Sequence, residues 1–208
     1  MKEIKFKSNT LDNSKSQFEN DLLRGKEGER IIQDFYEKRR HLASISDAEL
    51  RKSKRLYLAD VSNSKFYQDV DVDFLLTDMR HFGQRPLIKI EVKWDARIAQ
   101  TGNMCIEKQS ENLSNGYKSN GWCEKTKSDY LYYGDAKNNI FYVMETSYLK
   151  EYIKKYKPRE YKFFTYETSP INNKRYKAEK TVYLIKPQKI KDCYILDMNT
   201  YEKRKAAI

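Results

Sequence analysis

Two segments constrain this chain more than any bulk property does. Residues 70–77 (VDVDFLLT) and 87–94 (LIKIEVKW) alternate apolar and charged side chains, the period-two pattern of strands with one buried face. The connection 78–86 carries Gly83 and Pro86 and is short enough to return the second strand antiparallel to the first. In the first segment Val70, Val72, Phe74 and Leu76 share one face, leaving Asp69, Asp71 and Asp73 on the other. In the second, Ile88, Ile90, Val92 and Trp94 face the core, while Glu91 and Lys93 stand together opposite. Carboxylates on neighbouring strands repel one another. A hard divalent cation such as Mg²⁺, which prefers oxygen ligands, would relieve that repulsion.

The preceding stretch is helical in pattern. Over 16–40, Phe18, Leu22, Ile32 and Tyr36 recur at intervals of three or four, and Leu23, Ile31 and Phe35 widen the stripe. At about 100° per residue Glu29 lies roughly 50° from the stripe's centre and Glu27 about 150° from it. Glu29 is thus expected to face inward, where an acid needs a partner, a proton or a metal. A second helix is expected over 46–58, with Ser46 and Glu49 forming a capping box. Further strands are expected at 103–108, 129–133 and 140–144, then a helix at 147–156 stopped by Pro158, and late strands near 181–185 and 194–196. Residues 1–15 read as a flexible arm, 16–157 as the core and 158–208 as a basic, aromatic-rich extension packed on it. A helix feeding a run of strands with later helices is an α/β layer pattern.

Composition narrows the chemistry. The 41 Lys and Arg outnumber the 30 Asp and Glu, a net charge of +11, which points to a polyanionic partner. No apolar run approaches the roughly 20 residues of a spanning helix, and the charged first residues lack a signal peptide's apolar stretch; a cytoplasmic protein with no membrane association is expected. Cys105, Cys123 and Cys193 are widely spaced, and His41 and His81 are the two histidines, so neither a zinc site nor histidine-based nucleophilic catalysis is suggested. No glycine-rich phosphate loop is present. Any chemistry therefore falls to carboxylates and lysines.

Asp73 followed by Glu91-Val92-Lys93 resembles the core of the PD-(D/E)xK nuclease superfamily. Gly25-x-x-x-Glu29-Arg30 is similar to the N-terminal helix of Holliday-junction resolvases in it. TGNMCIE (101–107) followed by NGWCEKTKSDYLYYGD (120–135) looks like a pattern of its phage-type members, in which a strand carrying G-N-x-x-x-E precedes a strand carrying D-Y. The resemblance covers about residues 25–144 and departs at Val72, which stands where the motif is written with proline, a residue often absent there in the superfamily; its absence leaves Asp71 competing with Asp73 for the same role. It implies a restriction-endonuclease-like fold, a mixed central β-sheet flanked by helices. It also implies a site in which Asp73, Glu91 and the Val92 backbone carbonyl bind Mg²⁺, with Mn²⁺ as a substitute, and Glu29 completes the shell directly or through water. Lys93 would orient the attacking water or neutralise charge on the phosphorane. Asp71 and Glu107 are supporting acids. Lys118, Lys125, Lys127, Lys154, Lys155, Lys174, Arg175 and Lys177 are candidate phosphate contacts.

The expectation is a Mg²⁺-dependent DNA endonuclease of phage or prophage type acting on branched or double-stranded DNA, with a homodimer needed for symmetric cutting. The alternatives are a recombination-associated exonuclease, a catalytically inactive nucleic-acid-binding module on the same fold, and a basic adaptor that binds RNA or an acidic protein.

Overall fold

The computed structural model describes residues 14–42, 56–78, 87–168, 174–200 and 203–205. Helix α1 (Ser14–Leu42) is followed by strand β1 (Leu56–Asp60), a one-turn helix α2 (Lys65–Gln68), β2 (Phe74–Asp78) and β3 (Ile88–Asp95). Next come α3 (Ile98–Thr101), β4 (Met104–Asn112), β5 (Lys118–Asn120) and α4 (Trp122–Lys125), then β6 (Tyr130–Asp135), β7 (Ile140–Glu145) and α5 (Thr146–Tyr156). The chain ends with β8 (Glu160–Thr168), β9 (Arg175–Ile185), β10 (Tyr194–Asp197) and β11 (Lys203–Lys205).

These strands form two sheets, and the protein is mixed α/β. The larger has the order β1-β2-β3-β6-β7-β10-β11 and the smaller β5-β4-β9-β8. The large sheet is mixed because β3 and β6 pair in parallel, whereas its other ladders are antiparallel. A parallel pair requires a crossover; this one contains α3, β4, β5 and α4, so two small-sheet strands are inserted there. Strands β8 to β11 all follow residue 158, and β9 and β10 are interior strands of the two sheets. The stretch read from sequence as an extension therefore builds both layers.

The large sheet separates two cores. On one face Ile32 and Phe35 of α1 pack with Phe74, Leu76, Ile90, Val92, Tyr132, Phe141 and Val143. On the other, Leu131, Tyr133, Met144 and Leu149 meet Met104, Ile106, Tyr183 and Ile185 of the small sheet. Each fully buried large aliphatic or aromatic side chain here contributes about 1.5–3 kcal/mol. Helix α1 can lie close because of Gly28, where an added Cβ would stand 2.7 Å from Trp94 Cβ. Gly28→Ala is expected to destabilise the fold by about 1–3 kcal/mol through overpacking. Gly25→Ala should have no comparable cost, because nothing lies within 4 Å of a Cβ there. Chemical denaturation of the two variants tests this.

Several sequence expectations need correction. Residues 56–58, assigned to the second helix, are the start of β1; residues 46–55 of that helix lie outside the described residues. The strand expected over 70–77 begins only at Phe74, because α2 and a turn occupy the preceding stretch. Asp69 accordingly sits at the C-terminal end of α2, exposed and paired with Lys65 at 2.5 Å, not on a strand face. Leu23 is 64% exposed and does not join the α1 stripe, and Ile88 is 39% exposed at the open start of β3. The side chains of Phe18 and Leu22 lie outside the described set. Strands β1, β5, β8 and β11 were not anticipated.

Candidate active site

The site forms where β2 stops pairing and β3 runs on. The ladder ends at Phe74 opposite Ile90, with Asp73 N–H donating to the Ile90 carbonyl at 2.9 Å. Beyond that point Val92 N–H has no β2 backbone to pair with and donates instead to Asp73 Oδ2 at 2.8 Å. In an extended strand the N–H and C=O of one residue point to the same edge, so the Val92 carbonyl is aimed at the same gap. Alternation places Glu91 and Lys93 on the small-sheet side, level with Leu131 and Tyr133 of β6. Glu91 is 1% exposed, and its Oε1 accepts from Lys93 Nζ. Its Oε2 is buried without a hydrogen-bond partner, as is Asp71 Oδ2.

Glu29 approaches from α1 on the other side of the gap. Its carboxyl lies in the field of Asp73, Asp60 and Lys93, close to the Ser62 side chain. Asp60, at the end of β1, accepts from Ser62 N–H at 2.9 Å and from Ser62 Oγ at 2.7 Å. Asp60 and Ser62 escaped the sequence reading because a helix was expected across the start of β1. The alternation within LYLAD, with Leu56 and Leu58 packed against the α1 core, was the available signal.

Electrostatically the gap is crowded with acid. Burial, reinforced by Asp73 and Asp60, raises the Glu29 carboxyl to about 7. Burial likewise raises Asp73 and Glu91, even though Lys93 opposes the shift at both. Asp71 is raised by burial too, against the pull of Lys93 and Lys125. For Lys93 burial acts to lower the ammonium pKa, but Glu91 and Asp73 outweigh it and the result is a rise. Lys93 therefore remains charged, and one ammonium does not offset the surrounding carboxylates.

Asp71 holds a left-handed backbone with φ 46°, a conformation that aspartate tolerates better than most residues. Its carbonyl is pinned by the Thr126 hydroxyl at 2.8 Å, and Val70 accepts from Lys127 N–H at 2.9 Å. The 120–135 segment thus braces the turn that carries Asp71, while Asp129 Oδ2 accepts from Lys89 N–H at 2.8 Å. Gly121 lies directly against the Glu107 backbone, where no Cβ fits. Trp122 closes the small-sheet side: Lys93 Nζ lies 5.4 Å from its ring centroid.

Glu29, Asp71, Asp73, Glu91 and Lys93 are thus brought together. Glu107 acts on Asp71 through its charge but is engaged by Lys180 at 2.7 Å. Lys125 is near Asp71, and Lys127 follows on the same connection. Lys118, Lys174, Arg175 and Lys177 belong to the small sheet or its margin, with Lys118 held by Glu111 at 3.3 Å; Lys154 and Lys155 are exposed on the last turn of α5.

Among the described residues no group of three or more His, Cys, Asp or Glu side chains is drawn together tightly enough to hold a metal ion. Mg²⁺ does not require one, since it is bound through one or two carboxylates, waters and substrate phosphates. Hard oxygen donors on Asp73 and Glu91, the aimed Val92 carbonyl and the unpartnered Glu91 Oε2 fit that preference. No protein-family model, curated protein or solved structure matches the chain. Among the described residues no helix is long and apolar enough to cross a membrane.

Proposed function

We propose that this protein is a Mg²⁺-dependent DNA endonuclease with a restriction-endonuclease-like core. The observation that carries the reading is the unpartnered, fully buried Glu91 Oε2 beside Asp73 and Lys93, at the gap where β2 leaves β3. Burying several acids around one lysine disfavours their charged forms, and a cation-binding role gives that arrangement a purpose. Asp73, Glu91 and the Val92 carbonyl would hold Mg²⁺ or Mn²⁺, with Glu29 reaching it directly or through water. The ion would supply Lewis-acid polarisation of the scissile phosphate and a more acidic water.

The remaining work falls to the chain's own groups. Lys93 Nζ, fixed by Glu91 Oε1, is placed to orient the attacking water or meet negative charge developing on the phosphate oxygens. With its carboxyl raised to about 7, Glu29 can hold or release a proton near neutral pH. Asp71 is the alternative acid should Asp73 prove dispensable, because its Oδ2 is also unpartnered. Lys125 and Lys127 would meet backbone phosphates beside the gap. Symmetric cutting of a junction or duplex would call for a homodimer.

The test is incubation of the purified chain with supercoiled plasmid, linear duplex, nicked, flapped and four-way DNA in Mg²⁺, Mn²⁺ or EDTA. Cleavage in either metal and none in EDTA is expected, with nicking or linearisation of the closed circle distinguishing endonuclease from exonuclease. Intact DNA of every shape in both metals would reject the reading in favour of a catalytically inactive binding module.

A further inference from the structure

The small sheet carries a second feature, remote in sequence from the acidic gap. Before the register irregularity between Glu107 and Gln109, Met104 and Ile106 of β4 face Ile185 and Tyr183 of β9, and all four are buried. Past it the same face turns outward: Glu179 lies opposite Phe164 and Lys177 opposite Tyr166 on the edge strand β8. Phe164 and Tyr166 are 52% and 57% exposed. Each ring has a cation over it: Lys177 Nζ stands 4.4 Å from the Phe164 centroid, and the Arg175 guanidinium carbon stands 5.1 Å from that of Tyr166.

Other charges on this face are matched in pairs, Lys162 with Glu179 at 2.5 Å and Lys118 with Glu111 at 3.3 Å. Lys177 has a ring and no carboxylate against it among the described residues. The patch is therefore aromatic and cationic, with its acids already neutralised. Residues i and i+2 of a strand are about 6.6 Å apart. That spacing suits bases splayed along an extended strand, and it does not suit duplex bases stacked at about 3.4 Å with no open ring faces.

We propose that the outer end of β8 and β9 is a binding platform for single-stranded DNA. Bases stack on Phe164 and Tyr166, and phosphates meet Lys177 and Arg175. Sequence tolerance follows, since every base offers a ring face.

The test uses the full chain in EDTA, where metal-dependent cleavage is silent, with fluorescein-labelled oligo(dT) followed by anisotropy. Wild type is expected to bind. Phe164→Ala combined with Tyr166→Ala is expected to raise the Kd about 30-fold or more, while affinity for duplex of the same length stays unchanged. The Phe164→Tyr, Tyr166→Phe variant should bind like wild type. Lys177→Ala should reduce the salt slope of log K by about 0.7. Absence of wild-type binding, full affinity in the double alanine variant or equal weakening toward duplex would each overturn the proposal. Tighter binding of oligo(rU) or of an acidic peptide than of oligo(dT) would overturn it as well. Because no metal is present, its failure leaves the cleavage test of the acidic gap standing, and the converse holds.

Discussion

Replacing Glu91 by alanine is expected to lower Mg²⁺-dependent DNA cleavage by about 10³-fold or more while leaving DNA affinity in EDTA close to wild type. Glu91 is the most enclosed of the converging acids and carries the oxygen without a partner. A Lewis-acid centre contributes several kcal/mol to such a reaction, and each ~1.4 kcal/mol is a factor of about ten in rate. Lys93→Ala should show a comparable loss for a different reason, removal of the ammonium held beside Glu91. It should also lower metal-free stability at pH 8 by about 3 kcal/mol, since carboxylates would remain buried without their cation. Single-turnover cleavage, anisotropy and denaturant melts separate the three readouts. Wild-type cleavage rates in both variants would remove the acidic gap from any catalytic account.

The second large effect is in stability against pH. Glu29 titrates at about 7 in the fold against an ordinary value of 4.5, chiefly because it is buried. Between those limits the native chain keeps a proton that the unfolded chain has lost. Stability associated with Glu29 is thus present below pH 4.5 and is lost as pH rises toward 7. Asp73, Asp71 and Glu91 are raised too and act in the same direction, whereas Glu167, lowered by its Lys180 partner despite burial, acts oppositely. The clean comparison is therefore wild type against Glu29→Gln. The variant should be the more stable by about 1–2 kcal/mol at pH 8, after allowance for the exposed part of the carboxyl, with no advantage at pH 4.5. Added Mg²⁺ should raise the wild-type melting temperature more at pH 8 than at pH 5.5, because its ligands must be deprotonated. Parallel wild-type and variant curves across that range would contradict the assigned shift, and equal Mg²⁺ effects at both pH values would contradict ligation by these acids.

The local patterns were informative where one physical requirement dominated. Alternation in LIKIEVKW identified β3 and the shared face of Glu91 and Lys93 because side chains along a strand point alternately to its two faces; that this second face is buried as well came only with the small sheet. The tilt of Glu29 toward the apolar stripe followed from helical periodicity alone. Alternation misled at Val70 and Asp71, where the chain is held in a turn through contacts with residues 126 and 127, more than fifty positions away in sequence. It also could not show that Gly28, and not Gly25, is the residue against which Trp94 packs, since close approach is a property of two segments together.

By itself the amino-acid sequence determined the α/β character, the basic surplus, the inward acid on α1 and the acid and lysine sharing one side of β3, all consequences of residue type and spacing within one segment. Only the tertiary structure decided that β2 begins one residue after Asp73, so that the β2–β3 ladder stops there, that Asp60 and Ser62 join the acidic gap, and that residues after 158 complete both sheets. The physical reason is that burial, field and register belong to pairs of segments, and their energies exist only once distant parts of the chain have met.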